Sequence, residues 1–141
     1  MNSDVDLRQT SPRILIVDDE EKNIKLIKGM LMKENYNFNG CPSGEEALKF
    51  LQDHKPDLIL LDIMMPKLNG FEVLEILRSN ERTENIPTIL ITAKNTPDDI
   101  EHGLQLGADD YIAKPFNPRE LLARAKSKID SRRLKEELES K

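Results

Sequence analysis

Residues 57–66 read DLILLDIMMP. Leu58, Ile59, Leu60 and Leu61 form a short apolar run without polar alternation, as expected of a strand covered on both faces, and Asp62 closes it. Working outward, comparable runs occur at 13–17 and 88–92, with weaker ones at 36–41 and 109–113, and segments of helical length separate them. The pattern predicts five βα units. Helical stripes appear at Ile24, Ile27 and Leu31, then at Ala47, Leu48 and Leu51, and again at Phe71, Leu74 and Leu77 with Val73 beside them.

Helix starts are marked by the capping-box spacing of Ser43-Gly44-Glu45-Glu46 and by Thr96-Pro97 and Asn117-Pro118, each a proline behind a capping residue. Stops are expected at Asn35, at Gly107 and at His54-Lys55 before Pro56. Alternating elements with strands this hydrophobic imply an α/β domain: a mostly parallel sheet with helices on both faces, joined by right-handed crossovers. Residues 1–12 read as a flexible N-terminal tail and 13–126 as the folded domain. Residues 127–141 contain no glycine or proline, so they read as an extension of the last helix, a linker or short coiled coil. On that helix Leu122, Ala125 and Ile129 are expected to face the sheet. Ser127, Ser131, Leu134 and Leu138 form a second, opposite stripe that suits a homodimer through helix five and its extension.

The chain has 141 residues and a mass of 16.2 kDa, enough for one domain of ordinary size. Hydrophobic residues make up 38% and aromatics 4%, so the core must be aliphatic. The net charge of -5 is opposite in sign to that of a typical phosphate-backbone binder, and no direct nucleic-acid binding is expected. Apolar runs as short as Leu58–Leu61 cannot cross a bilayer, and the start MNSDVDLRQT lacks the basic and apolar regions of a signal peptide. A single cysteine, Cys41, suits a reducing compartment and a small buried apolar role. These features predict a cytoplasmic protein with no membrane partner.

In open parallel sheets ligands bind beyond the carboxyl ends of the strands. Here the first strand is followed by Asp18-Asp19-Glu20, the third by Asp62 and the fifth by Lys114-Pro115, while the fourth ends in Thr92. If these ends are neighbours, three carboxylates, a hydroxyl and an ammonium converge. Two carboxylates about 5 Å apart at an effective dielectric near 20 repel by ~3 kcal/mol, so the cluster calls for cations. Lys114 offers one charge. A hard, oxygen-seeking divalent ion offers two, which suits magnesium and makes zinc a poor fit. Such a set matches the oxygens of a phosphoryl group in transfer. No serine, cysteine or histidine stands at these four strand ends, so the nucleophile is expected to be a carboxylate, with Asp62 the better choice.

Taken together, Asp18-Asp19, Asp62 followed by Met64-Met65-Pro66 and Gly70, Thr92-Ala93, and Tyr111 three residues before Lys114-Pro115 resemble the receiver domain of two-component response regulators. The resemblance covers residue 13 to about 126. It implies a flavodoxin-like fold with a five-stranded sheet in the order 2-1-3-4-5, in which Asp62 accepts phosphate from a partner histidine kinase or phosphotransfer protein. It further implies that Asp19, Asp62 and the Met64 backbone carbonyl bind magnesium (or manganese) directly, with Asp18 acting through water. Thr92 and Lys114 would hold phosphoryl oxygens, and Tyr111 would report the state to an effector domain or downstream protein. It also implies a cis Lys114-Pro115 bond. On this reading the chain is a signalling module, not an enzyme, though one that assists its own phosphorylation and dephosphorylation.

Two other classes share part of the pattern. A haloacid dehalogenase-like phosphohydrolase also forms an aspartyl phosphate, but its paired aspartates are two residues apart on the first strand, which Asp18-Asp19-Glu20-Glu21 does not match. A flavodoxin-like mononucleotide carrier cradles phosphate in a hydroxyl- and glycine-rich turn after strand one, where this chain is acidic.

Overall fold

The computed structural model describes residues 11–139. Its elements are β1 (Arg13–Val17), α1 (Glu21–Leu31), β2 (Asn37–Cys41), α2 (Gly44–Asp53), β3 (Leu58–Leu61), α3 (Gly70–Arg78), β4 (Thr88–Thr92), α4 (Pro97–Gln105), β5 (Asp110–Ala113) and α5 (Pro118–Glu139). All strand pairings are parallel and the order is β2-β1-β3-β4-β5. The fold class, α/β and doubly wound, is as expected.

The two-residue period of the strands sorts the core into two layers. Leu15, Val17, Ile59, Leu61 and Leu90 point to the face covered by α2 and α3, where Ala47, Leu51, Val73, Leu74 and Leu77 meet them. Ile14, Ile16, Leu58, Leu60, Ile89, Ile91 and Ile112 point the other way, to Ile24, Ile27 and Leu31 of α1 and Leu121, Ala125 and Ile129 of α5. β3 is buried along its whole length. Asp62 is therefore carried out of the centre of the sheet by a fully buried strand.

Helix starts follow from local hydrogen bonding. Ser43 accepts from the Glu46 amide at 3.1 Å, Thr96 and Asp99 form a reciprocal capping box, and Asn117 accepts from the Arg119 amide at 2.7 Å. Asn69 and Glu72 form a second capping box at the start of α3. Gly107, with φ of +106°, turns the chain after α4.

The structure corrects two expectations. α1 ends at Leu31, not near Asn35. Leu31 is the last residue of its buried stripe, and the chain then turns through Glu34 to enter β2 at Asn37, with the Glu34 amide bonded to the Leu31 carbonyl at 3.2 Å. On α5, Leu121 rather than Leu122 shares the buried face with Ala125 and Ile129. One position is about 100° around a helix, so Leu122 faces the groove between α5 and α1, half-buried with Met30. Residues 1–10 of the expected tail lie outside the described residues, and the Pro12 carbonyl already accepts from the Asn37 amide at 2.8 Å. No helix among the described residues is long and apolar enough to cross a membrane.

Candidate functional site: a carboxylate cluster at the carboxyl edge of the sheet

Sheet pairing delivers the aspartates to one place. The Asp18 amide donates to the Cys41 carbonyl at 3.1 Å and the Asp62 amide to the Val17 carbonyl at 3.0 Å, so both residues leave the sheet in register. Their side chains are buried, while Asp19 is exposed. One oxygen from each of Asp18, Asp19 and Asp62 lies within 4.8 Å of the others. Lys114 completes the group, its ammonium donating to Asp18 at 2.9 Å and to Asp62 at 3.2 Å. The Lys114-Pro115 bond is cis, and the Lys114 amide donates to the Thr92 carbonyl at 2.9 Å.

The carboxylates are not equivalent. Asp18 has both oxygens engaged: Oδ1 accepts from the Glu20 amide at 2.9 Å and from Asn23 at 3.4 Å, and Oδ2 faces Lys114. Asp62 accepts from the Met64 amide at 3.1 Å and from Lys114. Burial pushes the Asp62 carboxyl above the ordinary carboxylate range. Lys114 and the Met64 amide oppose that rise, and the charge of Asp18 adds to it. Burial alone would lower Lys114, but its bond to Asp18 and the charges of Asp62 and Asp18 outweigh this and raise it. One ammonium thus faces more negative charge than it neutralises. The oxygen-only donor set, without histidine or cysteine, fits a hard divalent cation such as magnesium.

Gly70 explains how the loop after Asp62 stays close. A β-carbon there would lie 2.3 Å from the Asp62 carbonyl oxygen and 2.6 Å from the Ile63 α-carbon, and the Gly70 amide donates to the Ile63 carbonyl at 2.9 Å. Met65 packs into the core, whereas the Met64 side chain is exposed and its amide turns back to Asp62.

The hydroxyls of Thr92 and Tyr111 are not bonded to the aspartates. Fully buried Thr92 accepts from the Lys94 amide at 3.2 Å, and Tyr111 donates its hydroxyl proton to the Lys94 carbonyl. Burial, with Asp99 and Asp62 nearby, pushes the Tyr111 phenol up to about 12. The Tyr111 ring lies against Gly103 of α4, where a β-carbon would stand 3.2 Å from its Cε2 and 2.7 Å from Leu90 Cδ1. Sequence reasoning missed the linking part played by Lys94, which acts through its backbone and so leaves no side-chain signal. It also missed Asn23, whose polar side chain on the first turn of α1 was a usable clue.

Residues 14–126 match the family model described as response regulator receiver domain. Among curated relatives, the alkaline phosphatase synthesis transcriptional regulatory protein PhoP of Bacillus subtilis is 47% identical over 82% of this chain and 47% of its own length. The transcriptional regulatory protein CpxR of Escherichia coli is 46% identical over 82% of this chain and 48% of its own. The chain spans about half the length of these relatives. Among solved structures, a CheY-like response regulator receiver domain protein from Methanospirillum hungatei superposes with a TM-score of 0.81 at 33% identity, covering 90% of this chain and 99% of that one. With the strand order, the carboxylate cluster and these relatives in agreement, the chain belongs to the receiver domains of two-component response regulators.

Proposed function

We propose that this receiver is a phosphorylation-driven switch: Asp62 takes a phosphoryl group from a phosphohistidine on a partner histidine kinase or phosphotransfer protein. The α4–β5–α5 surface then passes the change to an output domain or downstream protein. The observation that carries the reading is the buried Asp62 carboxylate bridged by Lys114 to Asp18, with more negative charge in the cluster than one ammonium can neutralise.

In the transfer an Asp62 oxygen attacks phosphorus in line, the P–N bond breaks, and the imidazole leaves with the bonding pair and recovers its proton from solvent. The product is an acyl phosphate on Asp62. Lys114, already 3.2 Å from Asp62, follows the phosphoryl oxygens with its charge. Thr92 keeps its own hydroxyl proton to donate to another oxygen, because its bond to Lys94 uses it as an acceptor. Magnesium, with manganese as the alternative, would be held directly by Asp19, Asp62 and the Met64 carbonyl and through water by Asp18, supplying positive charge to the transferring group. Asp18, tied up by Glu20, Asn23 and Lys114, suits the indirect position. The same groups would assist attack of water on the acyl phosphate and so end the signal. The apolar groove beside α1 and the first turn of α5, lined by Leu26, Met30 and Leu122, offers a docking face for the phosphodonor. The domain would work in the cytoplasm, where such kinases present their phosphohistidine.

Phosphoramidate, a small P–N donor, tests the reading with magnesium present. An acyl phosphate signal by phosphorus NMR is expected on the native chain and not on Asp62→Asn. A signal that persists in Asp62→Asn, or none on the folded native chain, would overturn it.

A further inference from the structure

α5 runs through 22 residues and outlasts the sheet it packs on. Its end is held beside the domain: Arg133 reaches Asp57 at 3.3 Å, and Arg132 approaches the Asn85 carbonyl at 3.5 Å. Between this extension and the loops that lead into β3, β4 and β5 lies a cleft of about 460 Å³. It opens at the amino edge of the sheet, opposite the edge that carries Asp62, and phosphoryl transfer makes no use of it. The chain has a net charge of -5, yet the unpaired charge of the cleft has the other sign. Two of its cations are neutralised where they stand. Arg78 lies 3.1 Å from Asp109 and donates to the carbonyls of Gly107 and Ile86, and Arg132 lies 3.3 Å from Glu136. Lys55, Lys128 and Lys135 also line the cleft and have no partner among the described residues. Of the carboxylates that line it, only those of Glu84 and Glu139 are likewise unpaired there.

We infer that this cleft binds a small sugar or polyol bisphosphate. Lys128, Ser131, Arg132 and Lys135 recur at helical spacing, so one face of α5 presents them to the cleft together. Lys128 and Lys135 are two turns apart, about 10 Å along the axis. That separation suits two phosphates at the ends of one small molecule and exceeds the reach of a single phosphate ion. Each ammonium makes a charge-assisted bond to phosphate oxygen, and Lys55, from the loop before β3, adds a third. Glu84 and Glu139 accept from hydroxyls of the carbon skeleton, a use for carboxylates that a bare polyphosphate would leave repelled. The lining contains no aromatic ring, so a nucleobase would find nothing to stack on, which favours a saturated skeleton over a nucleotide. The bound molecule would tie the end of α5 to the loops before β3 and β4. The inference stands apart from the chemistry at Asp62.

Calorimetric titration of the full chain with fructose 1,6-bisphosphate, without magnesium and at constant ionic strength, tests this. Saturable binding at one site is expected, with a dissociation constant between about 1 µM and about 1 mM. Fructose 6-phosphate should bind about tenfold or more weakly, and fructose itself should give no heat of binding. Lys128→Gln with Lys135→Gln should weaken the bisphosphate by about tenfold or more, whereas Asp62→Asn should leave its affinity unchanged. In hydrogen exchange the bisphosphate should slow residues 128–139 of the native chain and not those of the double variant. Neither lysine is buried, so folding, checked by circular dichroism, is expected to survive their replacement. The inference would be overturned by a titration without saturable heat, by equal binding of the monophosphate, or by binding indifferent to the lysine pair. Loss of binding in Asp62→Asn, or no slowing in residues 128–139, would overturn it as well.

Discussion

The hydroxyls of Thr92 and Tyr111 engage the two ends of one residue: Thr92 accepts from the Lys94 amide and Tyr111 donates to the Lys94 carbonyl. The Tyr111 ring rests in turn on the glycine face of α4. A displacement of Thr92 toward a phosphoryl group would therefore pull on the backbone that Tyr111 is bonded to. Thr92→Ala should leave Asp62 able to take phosphate and uncouple it from α4. Hydrogen exchange in residues 97–105 is expected to change on phosphorylation in the native chain only. An equal change in both proteins would contradict the coupling.

Asp62→Asn should stabilise the fold, and the sign follows from burial. The folded carboxyl titrates above its unfolded value, so the folded state holds its proton more tightly. The associated stability is present at low pH and is lost as pH rises through the folded value. The variant removes that loss. Its advantage should be absent near pH 3 and grow on the alkaline side to about 1 kcal/mol, the size of one screened charge contact. Urea denaturation across this range checks it, and an advantage that shrinks with rising pH would contradict the sign.

Magnesium should relieve the same crowding. At about ten times its dissociation constant it should add about 1.4 kcal/mol of stability to the native chain. The gain should vanish with EDTA and fall sharply in Asp19→Asn, whose exposed carboxylate makes no hydrogen bond that Asp18 or Asp62 depends on. Thermal melts with and without the ion read this directly. Equal gains in native chain and variant would exclude Asp19 as a ligand.

Gly70→Ala should be the costliest of the small changes near the site. The added carbon would meet backbone atoms at 2.3 and 2.6 Å, which no side-chain rotation relieves. A loss of about 2–4 kcal/mol is expected. At Gly103 the nearest atom is a leucine methyl, and the helix gains propensity from alanine, so the net change there should be smaller. Denaturation midpoints of the two variants rank them.

The spans of β1, β3 and β4 and the two-layer core were legible because these three strands carry apolar runs and α1, α2 and α3 carry 3.6-residue stripes, whereas β2 and β5 are more polar and gave weaker signals. Asp18, Asp19, Asp62 and Lys114 were found for a topological reason: they stand at strand ends that parallel pairing aligns. What stayed hidden depends on distant partners. Arg78 holds the carbonyls of Gly107 and Ile86 and the carboxylate of Asp109, and Asp57 ties Arg133 to the start of β1. Such contacts join positions up to 76 apart in sequence and leave no local pattern. Gly103 leaves no side-chain signal in the sequence; in the fold it is the place where α4 can approach Leu90 and Tyr111. Leu122 was misplaced by one position because a stripe that widens along a long helix does not say which of two adjacent leucines faces inward.

The central claim is that Asp62 is the phosphoacceptor. Incubation with magnesium and a small acyl phosphate, followed by intact mass measurement of the native chain and Asp62→Asn, tests it most directly. A single phosphoryl adduct is expected on the native chain, absent from the variant and lost when magnesium is chelated. An adduct of equal yield on Asp62→Asn, or none on the folded native chain, would contradict the account.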